Sequence, residues 1–397
     1  MTWGAHQEGS SMKNFTFTTS KTIVNETGAL KRIGEICRNS GISSPLIVTD
    51  SGIKQLGMLA MLEGNLRAAG LPVCAFTDVV ADPPESIVMA ALECAADNKV
   101  DGIIGFGGGS SMDTAKLVAL MARSGELLED IYGVDQVKGQ RLPLILIPTT
   151  AGTGSEVTAV AIVTTGETTK MGVVAPQLYP DVAILDAELT MGLPPAITAM
   201  TGVDAMVHAV EAYTSTHKKN AYTDMLAREA LRLLSANIVT ATQNGKNLEA
   251  RQAMLLGACL AGQAFANAPV AAVHALAYPL GGRYHIPHGL SNSLMLPHVL
   301  RYNASSAQTC YAELAEVIIP NSQLKATAGD RCAQLADYFS DLIQVLDLPS
   351  TLSAMDIPES DLPQLAADAM LQQRLLVNNP REVLESDALA LYQKAYA

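Results

Sequence analysis

Apolar and polar positions follow two rhythms along this chain. Up to about residue 190, short apolar runs rich in β-branched residues alternate with segments of 3.6-residue periodicity. The runs SPLIVTD (44–50), PVCAFTDV (72–79), VDGIIGFGGG (100–109) and LPLILIPTT (142–150) predict strands. The last is almost continuously apolar, as a strand buried on both faces should be. Between the strands, IKQLGMLAMLEGNLRAAG (53–70), closed by Gly70, and ESIVMAALECAADNK (85–99) predict helices. A further helix, SMDTAKLVALMARSG, begins directly after the third run. Such alternation predicts a parallel, doubly wound sheet. After LDAELTMGLPPA the strand-like runs almost vanish and helical periodicity takes over, as in AYTDMLAREALRLLSANIVTAT (221–242). Pro194-Pro195 suits the first turn of a new helix. The expected fold is an α/β domain over residues 1–195 followed by an all-α domain over residues 196–397.

Composition agrees with that division. A chain of 397 residues is too long for one compact core, and its 49% apolar content supplies enough material for two. The net charge of −13 argues against nucleic acid or an anionic membrane as a partner. No apolar run approaches the roughly 20 residues of a membrane span, and the N-terminal MTWGAHQEGSSMKNF is polar, without a signal-peptide core. Six scattered cysteines with no CxxC pair read as reduced thiols of a cytoplasmic protein.

Two loops invite a nucleotide. GFGGGSSMDTAK runs from the third strand straight into a helix. Its glycines let the backbone approach an anion, and the helix N-terminus offers free N–H donors. The same glycines also suit a plain tight turn, and a literal GxGxxG is absent because Ser110 stands at its sixth position. PTTAGTGSEVT (148–158) follows the fourth strand with Thr149, Thr150, Thr153 and Ser155 around two glycines. Both loops must lie beyond the carboxyl ends of parallel strands, where open α/β sheets bind ligands. Asp50, ending its strand, suits either a ribose diol or the cap of the next helix.

Three of the seven histidines fall within HALAYPLGGRYHIPHG (274–289). In TGVDAMVHAVEAY (201–213), Asp204 and His208 stand at i and i+4, on one helix face. His274 and His288 are separated by PLGGRYHIP, whose Pro and glycines are expected to bend the chain, so that two elements converge. Three imidazoles and a carboxylate suit Fe²⁺ or Zn²⁺, and no thiolate is offered. Each histidine alone would read as an ordinary core residue.

Together the four motifs closely resemble the iron-containing (group III) alcohol dehydrogenases, in order and nearly end to end, through NNPREVLESDALALYQKAY near the C-terminus. The resemblance implies a dehydroquinate-synthase-like fold: a Rossmann-like nucleotide domain, a helical metal-binding domain, and an active site between them. It implies a divalent metal, Fe²⁺ before Zn²⁺, on Asp204, His208, His274 and His288, and NAD as cofactor. By the motif match, the NAD loops fall on Gly108, Gly109, Ser110, Asp113, Thr149, Thr150 and Thr153. Lys170 falls at the nicotinamide end and Asp50 at the adenosine ribose. Val160, Ile162 and Phe265 align with the substrate side, although core packing would equally account for Val160 and Ile162.

Two positions depart from the family pattern. Asp82, in ADPP, stands where many members have Asn, which weakens any inferred amide contact to the cofactor. Tyr278 stands where many have a second histidine of HxxxH, so the usual proton relay is missing; His285 is the alternative candidate. The expected reaction is interconversion of a small primary alcohol and its aldehyde with NAD, by a homodimer or higher homo-oligomer. A lactaldehyde, propanediol or oxoacid reductase is the alternative on the same fold. An oxoacid would call for convergent Arg or Lys, and only Arg283 adjoins the metal motifs. A dehydroquinate-synthase-type lyase fits the motifs less well, and a non-catalytic metal- and nucleotide-binding relative is the competing class.

Overall fold

The structure, a computed structural model, describes residues 14–166 and 169–397; the polar first thirteen residues lie outside these limits. Six parallel strands form the main sheet: β1 (Thr22–Asn25), β2 (Pro45–Asp50), β3 (Cys74–Val79), β4 (Gly102–Gly107), β6 (Leu144–Pro148) and β9 (Val182–Leu185). Their order is β1-β9-β6-β4-β2-β3. A smaller sheet, in the order β5-β8-β7, joins β5 (Gly133–Val134) to the antiparallel pair β7 (Val160–Thr165) and β8 (Thr169–Val174). The first part also holds α1 (Ile33–Asn39), α2 (Ser51–Gln55), α3 (Met58–Ala68), α4 (Glu85–Asp97), α5 (Gly109–Ser124) and α6 (Leu128–Ile131).

Period-two alternation divides the sheet between two cores. Ile47, Ile104, Ile145 and Ile147 face α1 and α3, whereas Leu46, Val48, Ile103, Leu144 and Leu146 face α4 and α5. The helices after β2 and after β4 thus lie on opposite faces, and these neighbouring strands define the topological switch point, where a crevice opens at the carboxyl edge.

Sequence patterning found four of the six strands. β1 and β9 are only four residues each, too short to register as a pattern, and β1 is a partly exposed edge strand. The single helix expected over 53–70 is two, because Gly57 adopts a left-handed conformation (φ 75°) between α2 and α3. The β7–β8 hairpin was not anticipated.

The remainder is helical: α7 (Pro195–Thr214), α8 (Ala221–Gln243), α9 (Leu248–Asn267), α10 (Ala272–Tyr284), α11 (His288–Ile318), α12 (Ala328–Val345), α13 (Leu362–Met370), α14 (Gln373–Leu376) and α15 (Glu385–Tyr396). Pro195 opens α7 at its first turn. From Thr198 onward α7 is buried on nearly every side, so it forms the axis of this part. The two parts meet without side chains at one point. Gly154, in a left-handed conformation, lies so close to α9 that a Cβ there would sit 2.6 Å from the Gly262 Cα. Among the described residues, no single helix is long and apolar enough to cross a membrane.

Candidate metal centre and cofactor cleft

α7 presents Asp204, His208 and Glu211 on one buried face, at i, i+4 and i+7. α10 brings His274, and α11 begins with His288. One ligand atom from each of Asp204, His208, His274 and His288 lies within 4.8 Å of the others. The Nε2 atoms of His208 and His274 are each 3.9 Å from Asp204 Oδ1, and that of His288 is 3.7 Å away. Burial holds His208 neutral, pushing its pKa down to about 3. Loss of hydration also leads for His288, pushed down to about 4, although its side chain is 36% exposed toward the cleft. Burial alone would raise Asp204, but the three imidazoles and the Asn292 amide outweigh it and hold the carboxyl below its ordinary value. Neutral His208 and His288 beside an ionised Asp204 are protonation states a divalent cation requires. The donor set fits such an ion.

Two supporting groups escaped the sequence reading. Glu211 Oε2 lies 2.6 Å from His274 Nδ1, while its other oxygen accepts the Val273 N–H at 2.7 Å. That pairing places the imidazole proton on Nδ1 and leaves Nε2 free for the cluster. The helical i+7 spacing from Asp204 was the available signal. Asn292, one turn after His288, sets its Nδ2 at 2.6 Å from Asp204 Oδ1 and at 3.2 and 3.3 Å from the Nε2 atoms of His274 and His288. It ties three of the four ligand residues together.

The bend between His274 and His288 arises differently from expectation. Pro279, Gly281 and Gly282 all stay within α10. The break comes at His285, whose φ of 55° closes the helix, and at Pro287, which precedes α11. His285 is exposed and hydrogen-bonds through its backbone to the Gly281 carbonyl; the fold leaves its imidazole outside the cluster. Tyr278 is half-buried, its ring centroid 5.9 Å from that of His288. Phe265 stacks on His208 at 4.3 Å.

At the switch point the nucleotide motifs adjoin one another. α5 starts at Gly109 with no side chain capping its N-terminus, so its first N–H groups remain available. A Cβ on Gly107 would come within 2.7 Å of Ser111 Oγ and 3.2 Å of Asp50 Oδ2, so this turn admits backbone only. Asp50 caps α2 by accepting from Ile53 N–H at 3.0 Å, and it also accepts from Ser111 Oγ at 3.2 Å. The capping role and a place beside the crevice thus coincide. Thr149 is buried and bonds through its N–H to the Gly107 carbonyl, Thr150 lies near Gly108, and Thr153 packs on Gly109. Ser110 lies in the first turn of α5. Asp113, which the motif match assigns to the cofactor loops, lies in the first turns of α5. Its carboxylate accepts from Ser155 Oγ at 2.6 Å and Ile162 N–H at 3.0 Å, so it braces the next turn and β7. Lys116 is fully buried beneath it and donates to Ser155, Thr158 and the Val160 carbonyl. Only the fold reveals that strut, although a lysine on an otherwise apolar helix face was its trace.

Lys170, on β8, reaches the metal end, where its charge bears on His288. Its Nζ lies 2.6 Å from Asp82 Oδ1. Arg283, the cation adjoining the motifs in sequence, turns away to pair with Asp368.

Comparisons with known proteins agree with this architecture. The family model "Iron-containing alcohol dehydrogenase" matches residues 20–187, and "Fe-containing alcohol dehydrogenase family, C-terminal" matches residues 198–396. Long-chain-alcohol dehydrogenase 1 of Geobacillus thermodenitrificans is 41% identical, over 93% of this chain and 94% of that one. A solved 1,3-propanediol oxidoreductase superposes with a TM-score of 0.93 at 34% identity, covering 97% of this chain and all of its own. Sulfoacetaldehyde reductase from Bifidobacterium kashiwanohense, solved in complex with NAD⁺, superposes with a TM-score of 0.86 at 29% identity, over 96% and 99% of the two chains. A doubly wound sheet joined to a helical part carrying one His₃Asp cluster is the arrangement of a metal-dependent oxidoreductase. The chain belongs to the iron-containing alcohol dehydrogenase family, whose members interconvert alcohols and aldehydes.

Proposed function

We propose that this protein interconverts a small primary alcohol and its aldehyde with NAD(H). In this reading residues 1–195 form the nucleotide unit and residues 196–397 the metal unit. The observation that carries the proposal is the convergence of four ligand atoms within 4.8 Å, beside the glycine turns at the carboxyl edge of a parallel sheet. Asp204, His208, His274 and His288 would hold a divalent ion, Fe²⁺ by family and Zn²⁺ by equal ligand fit. When bound, the ion supplies Lewis acidity to the substrate oxygen, and the nicotinamide supplies the hydride carrier.

The chain's own residues then orient and exclude. Glu211 fixes the His274 tautomer, and Phe265 and the half-buried Tyr278 wall the cluster from water. Tyr278 would offer its hydroxyl to the substrate side as a hydrogen-bond donor and pocket wall rather than as a general base. The free N–H groups at the start of α5, with Gly108, Gly109 and Ser110, would cradle the pyrophosphate, flanked by Thr149, Thr150 and Thr153. Asp50 retains acceptor capacity for a ribose diol and would repel a 2′-phosphate. Val160 and Ile162, partly buried on β7, would line the substrate side with Phe265.

All six cysteines are unbonded, which supports a cytoplasmic setting. An exposed apolar group of Phe15, Tyr222 and Met225 supports a homodimer or higher homo-oligomer.

The test is absorbance of NADH with a panel of short alcohols and aldehydes. Turnover should disappear on chelation and return with Fe²⁺ or Zn²⁺. Metal-loaded protein inert toward the whole panel would overturn the proposal.

A further inference from the structure

β7 is the outer strand of the small sheet, and side chains close its free edge where a further strand would otherwise pair. On that edge the Val160 carbonyl accepts from Lys116 Nζ at 2.7 Å, and the Ile162 N–H donates to Asp113 Oδ2 at 3.0 Å. A carbonyl and an N–H that flank one residue, here Ala161, are the pair a neighbouring parallel strand would take. α5 supplies their partners instead. Ala161 and Val163 also pack in one core with Leu117 and Leu120 of that helix. The strand is therefore fixed to α5 by its edge and by its buried face.

Lys116 is the centre of this arrangement. Its side chain has no exposed surface. Besides the Val160 carbonyl, its Nζ donates to Ser155 Oγ at 2.8 Å and to Thr158 Oγ1 at 3.1 Å. Three acceptors use all three donors of an ammonium, whereas a neutral amine has only two. Burying such a charge is costly, and a well-packed apolar side chain of similar volume often serves stability as well. Stability alone is thus a poor reason for a lysine here. What the ammonium adds is direction. It meets the threonine turn at two points and β7 at a third, from a helix whose uncapped start lies two turns away.

We propose that Lys116 is a positioning residue for the nicotinamide end of the cofactor, which rests on the reading of this cleft as an NAD site. In that reading the start of α5 takes the pyrophosphate, and the β7–β8 hairpin, carrying Lys170, walls the nicotinamide end. Lys116 touches neither part of the cofactor. It sets the offset between the two by tying β7 to the pyrophosphate helix. ADP-ribose, which lacks the nicotinamide ring, has no use for that offset, whereas NADH binding and hydride transfer depend on it.

The experiment measures binding of NADH and of ADP-ribose to the metal-loaded parent and to Lys116→Met, by fluorescence and calorimetry. The Kd for NADH should rise about tenfold while that for ADP-ribose stays within about twofold, the upper and lower ends for one lost hydrogen bond. With ethanol as the probe substrate, kcat should fall about 10²-fold, the scale of a 1 Å misplacement at the reacting atoms, with metal content unchanged. Equal weakening of both ligands overturns the proposal, because a general loosening of the fold has no preference for the ring. An unchanged ratio overturns it as well. If Lys116→Met does not fold, Thr158→Val decides, since it is isosteric and removes one acceptor of the ammonium. The ratio should then shift in the same direction by about 2–10-fold, and an unshifted ratio rejects the role of Lys116. A parent that binds neither ligand removes the NAD reading and this role with it; a parent that binds both, with no shift in the variants, removes this role alone.

Discussion

The metal end and the nucleotide end of the cleft are made of different materials. At the metal end, side chains from three helices converge in a largely dry pocket, and most are oriented by a further polar group. At the nucleotide end, the features are backbone: an uncapped helix start, a turn that admits no Cβ at Gly107, and threonines packed alongside. Chemistry at the first end resides in side-chain identity, so removing one atom group dismantles it. Chemistry at the second resides in the path of the main chain, and side chains there adjust preference.

Four substitutions sharpen or break that contrast. His274→Ala has the largest expected effect. Metal affinity should fall by more than the roughly 10–100-fold typical of losing a ligand's supporting partner, and activity should fall with it. Elemental analysis of the purified variant checks this, and full metal content would remove His274 from the site. Glu211→Gln comes next. The glutamine oxygen can still accept the Val273 N–H, but its amide N–H₂ then faces His274 Nδ1 and disfavours the required tautomer. Chelator competition should show metal affinity reduced about 10–100-fold; an unchanged affinity would mean that the tautomer is fixed elsewhere.

Asp50→Gly tests the other end. Glycine at an N-cap costs only about a few tenths of a kcal/mol relative to aspartate, so α2 should persist. The preference for NAD over NADP should narrow about tenfold, the scale of one charge contact at a partly hydrated site. A parent enzyme that already prefers NADPH would refute the role given to Asp50. Tyr278→Phe has the smallest expected effect. Loss of one neutral hydrogen bond should lower kcat by no more than about tenfold and leave the metal in place. A loss of about 10²–10⁴-fold with metal retained would make the tyrosine an acid–base group.

The same contrast explains what was legible in the sequence. Asp204 and His208 announce themselves because helical spacing converts directly into a shared face. Strands β2, β4 and β6 are legible because burial on both faces leaves near-continuous apolar runs, whereas the edge strand β3, with Asp78 exposed, is legible from its short Val/Phe/Thr run. β1 and β9 are not, since four residues carry too little pattern. Asp113 shows what motif matching leaves out: its carboxylate also accepts from Ser155 and the Ile162 N–H, a link across the fold that no spacing announces. His285 shows a second limit, because nearness in sequence to two ligands says nothing about which way a left-handed cap sends its side chain. Lys170 is the converse case, more than thirty residues from any ligand in sequence and brought to the metal end only by the hairpin.

The contact between Gly154 and Gly262 bears on how such enzymes can be recombined. It joins the threonine turn to α9 backbone against backbone, three residues before Phe265, which the same helix stacks on His208. A chimera taking its sheet from one relative and its helices from another inherits this contact whole, and no repacking of side chains can restore it once a Cβ intrudes on either side. Glycine at both positions is therefore a compatibility condition for exchanged halves, and the first place to look when such a chimera folds, binds metal and still fails to turn over.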